Sequence, residues 1–137
     1  MTPVLHPFFR LSGKFDPDEI TKLLDIQPSA VSRIGDPGPP DALGPRLGAE
    51  WIWQPEGHDS DHVADQLAYL AGSLSLRSKE VAELSQKFWG TFHVYNQFDH
   101  DWFLSPEVLR LIANLQVSIQ CNNVGVAQEE ETRTDAD

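Results

Sequence analysis

Between Gly90 and Asn122 the chain changes its hydrophobic period twice, and that change constrains the fold more than any other feature. Gly90-Thr-Phe-His-Val-Tyr-Asn-Gln97 alternates apolar and polar residues as a half-buried strand does. Ser105-Pro-Glu-Val-Leu-Arg-Leu-Ile-Ala-Asn114 then starts and stops like a helix, and Val117-Ser-Ile-Gln-Cys121 alternates again. The helix start is fully specified. Ser105 can accept from the first free N–H groups, and Pro106 sits where a missing N–H costs nothing. Glu107 meets the positive end of the helix dipole, and Leu104 can staple onto Leu109.

The same start recurs near the N-terminus in Phe15-Asp-Pro-Asp-Glu-Ile20. Asp16 is the cap, Pro17 the first helical residue, Glu19 the return partner of a capping box, and Phe15 staples onto Ile20. Pro17 answers Pro106, Asp25 answers Asn114, Ile26 answers Leu115 and Gln27 answers Gln116. The chain therefore reads as two related strand–helix–strand halves.

Taken in order, Pro7-Phe-Phe-Arg-Leu-Ser12 is a strand with Phe9 and Leu11 on one face and Phe8, Arg10 and Ser12 on the other. Ile20, Leu23 and Leu24 form the stripe of the first helix, and Pro28 stops it. The span from Ser32 to Gly48, rich in Gly and Pro, reads as a long loop and is the first place to look for a binding site. Ala49-Glu-Trp-Ile-Trp-Gln54 is a strand. Val63, Leu67, Leu70 and Leu74 recur at helical spacing, and Val81, Leu84 and Phe88 mark a further short helix. Phe98 to Phe103 is a polar turn with aromatic ends.

This element string predicts an α+β fold with a four-stranded sheet: a ferredoxin-like plait built from two βαβ halves, with helices inserted between them. Phe9, Leu11, Trp51, Trp53, Phe92, Val94, Val117 and Ile119 are expected to face the helices. Arg10, Glu50, Gln54, Thr91, His93, Tyr95, Ser118 and Gln120 fall on the other, wet face.

At 137 residues the chain is long enough for one core without disulfide or metal staples, and residues 1–127 read as a single domain. The lone Cys121 excludes an internal disulfide and, beside Ile119, reads as a buried small hydrophobe. The N-terminal stretch lacks the charged and apolar regions of a signal peptide, and no apolar run is long enough to span a bilayer, which points to a cytoplasmic protein. The net charge is −11, of which the tail 128–137 supplies −4, leaving −7 on residues 1–127. That tail reads as a disordered, solubilising end. Such acidity disfavours nucleic acid and anionic membranes and favours a basic protein partner.

Chemical candidates thin out on inspection. His58 and His62 stand four apart in an acidic stretch, but Gly57 and the helix start fall between them and any common face, and the H-E-x-x-H pattern is missing. No metal and no cofactor is assigned. The Gly/Pro loop holds Arg33 and Arg46 without a phosphate-binding motif, and Asp36 would repel an anion; Arg33 or Arg46 is expected to tie the loop down by pairing Asp36 or a helix C-terminus. His93 and Tyr95 with Glu50 could form an acid–base trio on the sheet face, yet a lone histidine on a half-exposed strand is more commonly a surface residue. No catalytic residue is assigned. The candidate partner- or ligand-binding residues are Arg10, Arg33, Asp36, Arg46, Glu50, His93 and Tyr95.

Leu11-Ser-Gly13 before Phe15-Asp-Pro-Asp-Glu-Ile20, then Ile26-Gln-Pro-Ser29, Gly35-Asp36, Trp51 and Leu104-Ser-Pro-Glu107 resemble a small bacterial family known as domain of unknown function four-two-seven-nine. The resemblance covers nearly all the chain apart from the tail. It implies a cytosolic α+β domain with no activity to carry over, of a kind whose members sometimes act as immunity proteins for secreted toxins. The Pro-rich insert after Asp36 departs from the family pattern.

The expectation is therefore a non-enzymatic acidic interaction module, immunity-like, that binds a basic protein. Self-association would use the open sheet face. The alternative is a small-molecule binder or enzyme with a pocket between the 32–48 loop and the sheet.

Overall fold

A computed structural model describes residues 6–38, 44–55, 62–95 and 102–122. The acidic tail, His58, most of the stretch expected as a polar turn at 98–103, and the middle of the Gly/Pro loop lie outside the described residues.

The chain runs β1 (Phe8–Gly13), α1 (Pro17–Leu24), β2 (Ala30–Ser32), β3 (Ala49–Trp53), α2 (Val63–Leu74), a 3-10 turn (Ser75–Arg77), α3 (Ser78–Lys87), β4 (Trp89–Tyr95), α4 (Pro106–Leu115) and β5 (Ser118–Asn122). The strands form one mixed sheet in the order β2-β3-β1-β4-β5, antiparallel except for the parallel β4–β5 pair. The class is α+β, with five strands rather than the four expected. The added strand, β2, has only three residues and a largely exposed pattern, too short to show a period in sequence.

Both expected helix starts are present. The Asp16 side chain accepts from the Asp18 N–H at 3.0 Å, and Ser105 Oγ accepts from the Val108 N–H at 3.2 Å, each with proline in the first turn. The return bond of a capping box is not made: among the described residues, no hydrogen bond reaches the exposed Glu19 carboxylate. The two helices end alike but not at the residues the sequence paired. Asp25 and Gln116 are the left-handed caps, both at φ 56°, so Gln116 rather than Asn114 is the counterpart of Asp25. α4 is longer because Leu111, Ile112 and Leu115 continue its apolar stripe. The halves also differ in the sheet. β3 lies between β1 and β2, whereas β4 and β5 are direct neighbours.

The core lies on one face of the sheet. Phe9, Leu11, Trp51, Phe92 and Val94 are buried against Ile20 and Leu24 of α1, Leu67, Leu70 and Leu74 of α2, Val81 and Leu84 of α3, and Ile112 and Leu115 of α4. Trp53 and Ile119 join as partly buried neighbours. Burying each large apolar side chain is worth about 1.5–3 kcal/mol, so this layer dominates stability. The Phe9 ring meets Trp51 and Phe92 edge-on, at centroid distances of 6.0 and 5.8 Å. The fully buried Trp51 also donates its indole N–H to Thr21 Oγ1 at 3.0 Å, pinning α1 to the sheet by a satisfied polar contact. At Gly90 there is no room for a side chain, because a Cβ would collide with Ser85 Oγ of α3.

Cys121 is exposed, not buried. It pairs with Val94 and so points to the helix side, but β5 is the outermost strand, and among the described residues the helix layer does not cover its end. Alternation fixes the face of a residue, not how far the opposing layer extends.

Candidate functional site

The sheet face away from the helices can be read row by row from the strand register. Arg10 stands between Ile52 and Thr91, with Ser118 beyond. Ser12 stands between Glu50 and Trp89. Phe8 faces His93, followed by Gln120, and Tyr95 faces Asn122. Five of the seven candidate residues meet here: Arg10, Glu50, His93 and Tyr95 from the strands, and Arg46 from the segment leading into β3.

Arg10 and Glu50 are diagonal neighbours on β1 and β3, and Arg10 Nη2 donates to Glu50 Oε1 at 2.5 Å. Arg46 Nη1 approaches the same oxygen at 4.0 Å. One carboxylate thus serves two guanidinium groups, and the buried Arg10 Nε has no hydrogen-bond partner among the described residues. The His93 ring lies flat against Phe8, with centroids 4.8 Å apart and planes 7° apart, and Tyr95 tilts against the same Phe8 ring at 6.2 Å.

The face is drier at its centre than alternation implies: Thr91 and His93 are only 5% and 7% exposed. The Phe8 ring stacks over His93, and Arg10 stands beside Thr91 on the neighbouring strand, so side chains of β1 roof them. Burial lowers the His93 pKa; the Arg10 charge lowers it further, and Glu50 partly opposes this. These surroundings favour the neutral form of the His93 ring. Glu50 is engaged by Arg10, and among the described residues no hydrogen bond reaches the His93 ring, so the acid–base trio is not assembled.

Arg33 and Asp36 sit elsewhere. Arg33 donates from Nη1 to Asp16 at 3.2 Å and from Nη2 to Asp18 at 2.8 Å, so it ties the loop to the start of α1, not to a helix C-terminus. Its hydrogen bond holds the Asp18 carboxyl below its usual pKa. The Asp36 carboxylate accepts from the Arg33 backbone N–H at 2.7 Å, and its carbonyl accepts from the Arg46 N–H at 2.8 Å. With the Gly35 N–H donating to the Arg46 carbonyl at 2.9 Å and a bridge between Pro37 and Pro45, the two ends of the long loop are zipped together. Gly35, at φ 92°, supplies the turn. An open depression of about 450 Å³ lies beside this tie, lined by Lys14, Phe15, Asp16, Pro17, Arg33 and Ile34.

One residue of the open face escapes a sequence reading that starts the strand at Gly90. Trp89 is in register with Ser12, shares a face with Thr91, His93 and Tyr95, and is 69% exposed. Extending the alternation back by one residue would have found it. His62 lies at the N-cap position of α2 without a side-chain capping bond. No helix among the described residues is long and apolar enough to cross a membrane.

Among the described residues the chain is an α+β domain whose sheet carries helices on one side and an aromatic and ionic surface on the other. The chain belongs to the family described as "Domain of unknown function (DUF4279)", whose model matches residues 5–123. No curated protein and no solved structure matches it.

Proposed function

We propose that this protein is a non-enzymatic interaction module, immunity-like, that binds a basic protein partner. The observation that supports this most directly is where its negative charge is attached. Acids and bases nearly balance among the described residues, so the charge of −11 resides chiefly in the connecting and terminal stretches. Residues 56–61 carry Glu56, Asp59 and Asp61; residues 96–101 carry Asp99 and Asp101; the stretch after Asn122 carries the acidic tail. These stretches follow Pro55, Tyr95 and Asn122. The pairings Phe9 with Trp53, Phe8 with His93 and Tyr95 with Asn122 put all three exits at the same end of the sheet. Negative charge attached at these exits would steer a basic protein and speed its encounter.

The strand order β2-β3-β1-β4 supports reading the first four strands as a ferredoxin-like plait, extended by α4 and β5. Cytoplasmic residence goes with this reading. The second reading, a small-molecule binder or enzyme with a pocket between the 32–48 loop and the sheet, draws on the depression beside Arg33, which lies between that loop and the start of α1 and not against the sheet. It is weaker because the Arg33 guanidinium is already held by Asp16 and Asp18, and Glu50 by Arg10.

Calorimetric titration with any basic protein that a neighbouring gene encodes tests the proposal. Binding that weakens steeply as NaCl rises is expected. Absence of binding, or affinity indifferent to salt, overturns it.

A further inference from the structure

The two margins of the sheet are built differently. β2, at one margin, has three residues, follows Pro28 closely, and runs into Arg33, whose side chain is tied to α1. Shortness, proline and charge are the devices by which sheet edges are closed to further strands. β5, at the other margin, has none of them. Ser118-Ile119-Gln120-Cys121-Asn122 holds no charge, no proline and no glycine, and among the described residues no element pairs with its outer side. Its outward N–H and C=O groups form a template for another strand.

We propose that this edge pairs with the same edge of a second copy, antiparallel and two-fold about Gln120, to make one continuous sheet. The strand is self-complementary in that arrangement. Gln120 stands opposite its own counterpart and Ser118 opposite Asn122 on the open side, while Ile119 stands opposite Cys121 on the helix side. Apolar meets apolar, polar meets polar, and no like charges oppose each other. A parallel arrangement would bring both Asn122 residues, each followed in sequence by an acidic stretch, to one end of the dimer; the antiparallel one puts them at opposite ends. An isologous contact of this kind closes on itself and stops at two copies. Five paired residues are a small interface, so the dimer is weak. Each copy carries −11, so repulsion opposes association and added salt strengthens it. That sign is opposite to the one expected for a basic partner, so the two proposals fail separately.

The test is analytical ultracentrifugation of the full chain from low to several hundred micromolar, at low and high NaCl. A monomer–dimer equilibrium shifting towards dimer with concentration and with salt is expected. Gln120→Lys, at an exposed position, places two like charges at the axis; it should sediment as a monomer throughout while melting at the parent temperature. Gln120→Cys in a Cys121→Ser background should form a disulfide-linked dimer on mild oxidation, since Cα atoms opposed across antiparallel strands lie about 4.5–5.5 Å apart, within disulfide range. A parent that stays monomeric over the whole range, a Gln120→Lys chain that dimerises like the parent, or failure of the Gln120→Cys chain to cross-link would each overturn the proposal.

Discussion

Replacing Asp16 with alanine removes the acceptor on which the first helix depends. Asp16 Oδ1 receives the Asp18 N–H at 3.0 Å and Arg33 Nη1 at 3.2 Å. The first is the capping bond proper. Its loss leaves a helix N–H without an intrahelical partner and costs about 0.5–2 kcal/mol. The second adds little, because the carboxylate is half exposed and Arg33 keeps its bond to Asp18. For a urea dependence of about 1–3 kcal/mol per molar, a cost of about 1 kcal/mol moves the unfolding midpoint down by roughly 0.3–1 M. Ser105→Ala should cost no more, because Ser105 Oγ accepts the single Val108 N–H at 3.2 Å and carries no charge for the helix dipole. Asp16→Asn, which keeps the acceptor oxygen and loses the charge, should fall between Asp16→Ala and the parent. Urea unfolding of the three variants decides the matter. If Asp16→Ala has the parent's midpoint, the cap contributes nothing and the account of how α1 begins is wrong.

Three further outcomes follow from the geometry. His93 has a pKa below its unfolded value of about 6.5, so the unfolded chain binds the proton first. Its contribution is complete above that pH and is lost as pH falls from there towards the lower folded value; stability measured against pH should decline less steeply there in His93→Gln than in the parent. Asp25 is a non-glycine residue at φ 56°, so Asp25→Gly should stabilise the fold by about 0.5–1 kcal/mol, read from the urea midpoint; an unchanged or lowered midpoint would contradict the left-handed cap. Cys121, the only cysteine, should react with a thiol reagent in the native protein as fast as in urea, whereas a buried thiol would react only after unfolding.

Period and capping chemistry were enough to locate eight of the ten elements in β1 to β5, α1 to α4 and the 3-10 turn, because each of the eight has an apolar stripe or an alternation long enough to count. β2 was hidden because Ala30-Val31-Ser32 is shorter than one readable repeat. The pairing of Arg10 with Glu50 needed the register between β1 and β3, which no local pattern contains. The burial of His93 was out of reach for a similar reason. It is made by the Phe8 ring from the neighbouring strand, so its environment is a property of strand order and not of strand sequence. Trp89 could have been found, since the alternation includes it once the strand is not made to begin at the glycine.

The placement of β1 bears on how the chain is made. It leaves the ribosome before every other strand of the sheet, yet it is the middle strand, with Phe9 held between Trp53 on one side and Phe92 on the other. During synthesis, neither partner exists when Phe8 and Phe9 emerge, and the second arrives only after α1, β2, β3, α2 and α3 have been made. The loops that must close are long, their entropic cost precedes any reward, and the sheet cannot be completed in sequence order. Until Trp89 to Tyr95 arrives, the nascent chain carries one aromatic strand with an unfilled side, and that interval is when it is most exposed to aggregation and to chaperones.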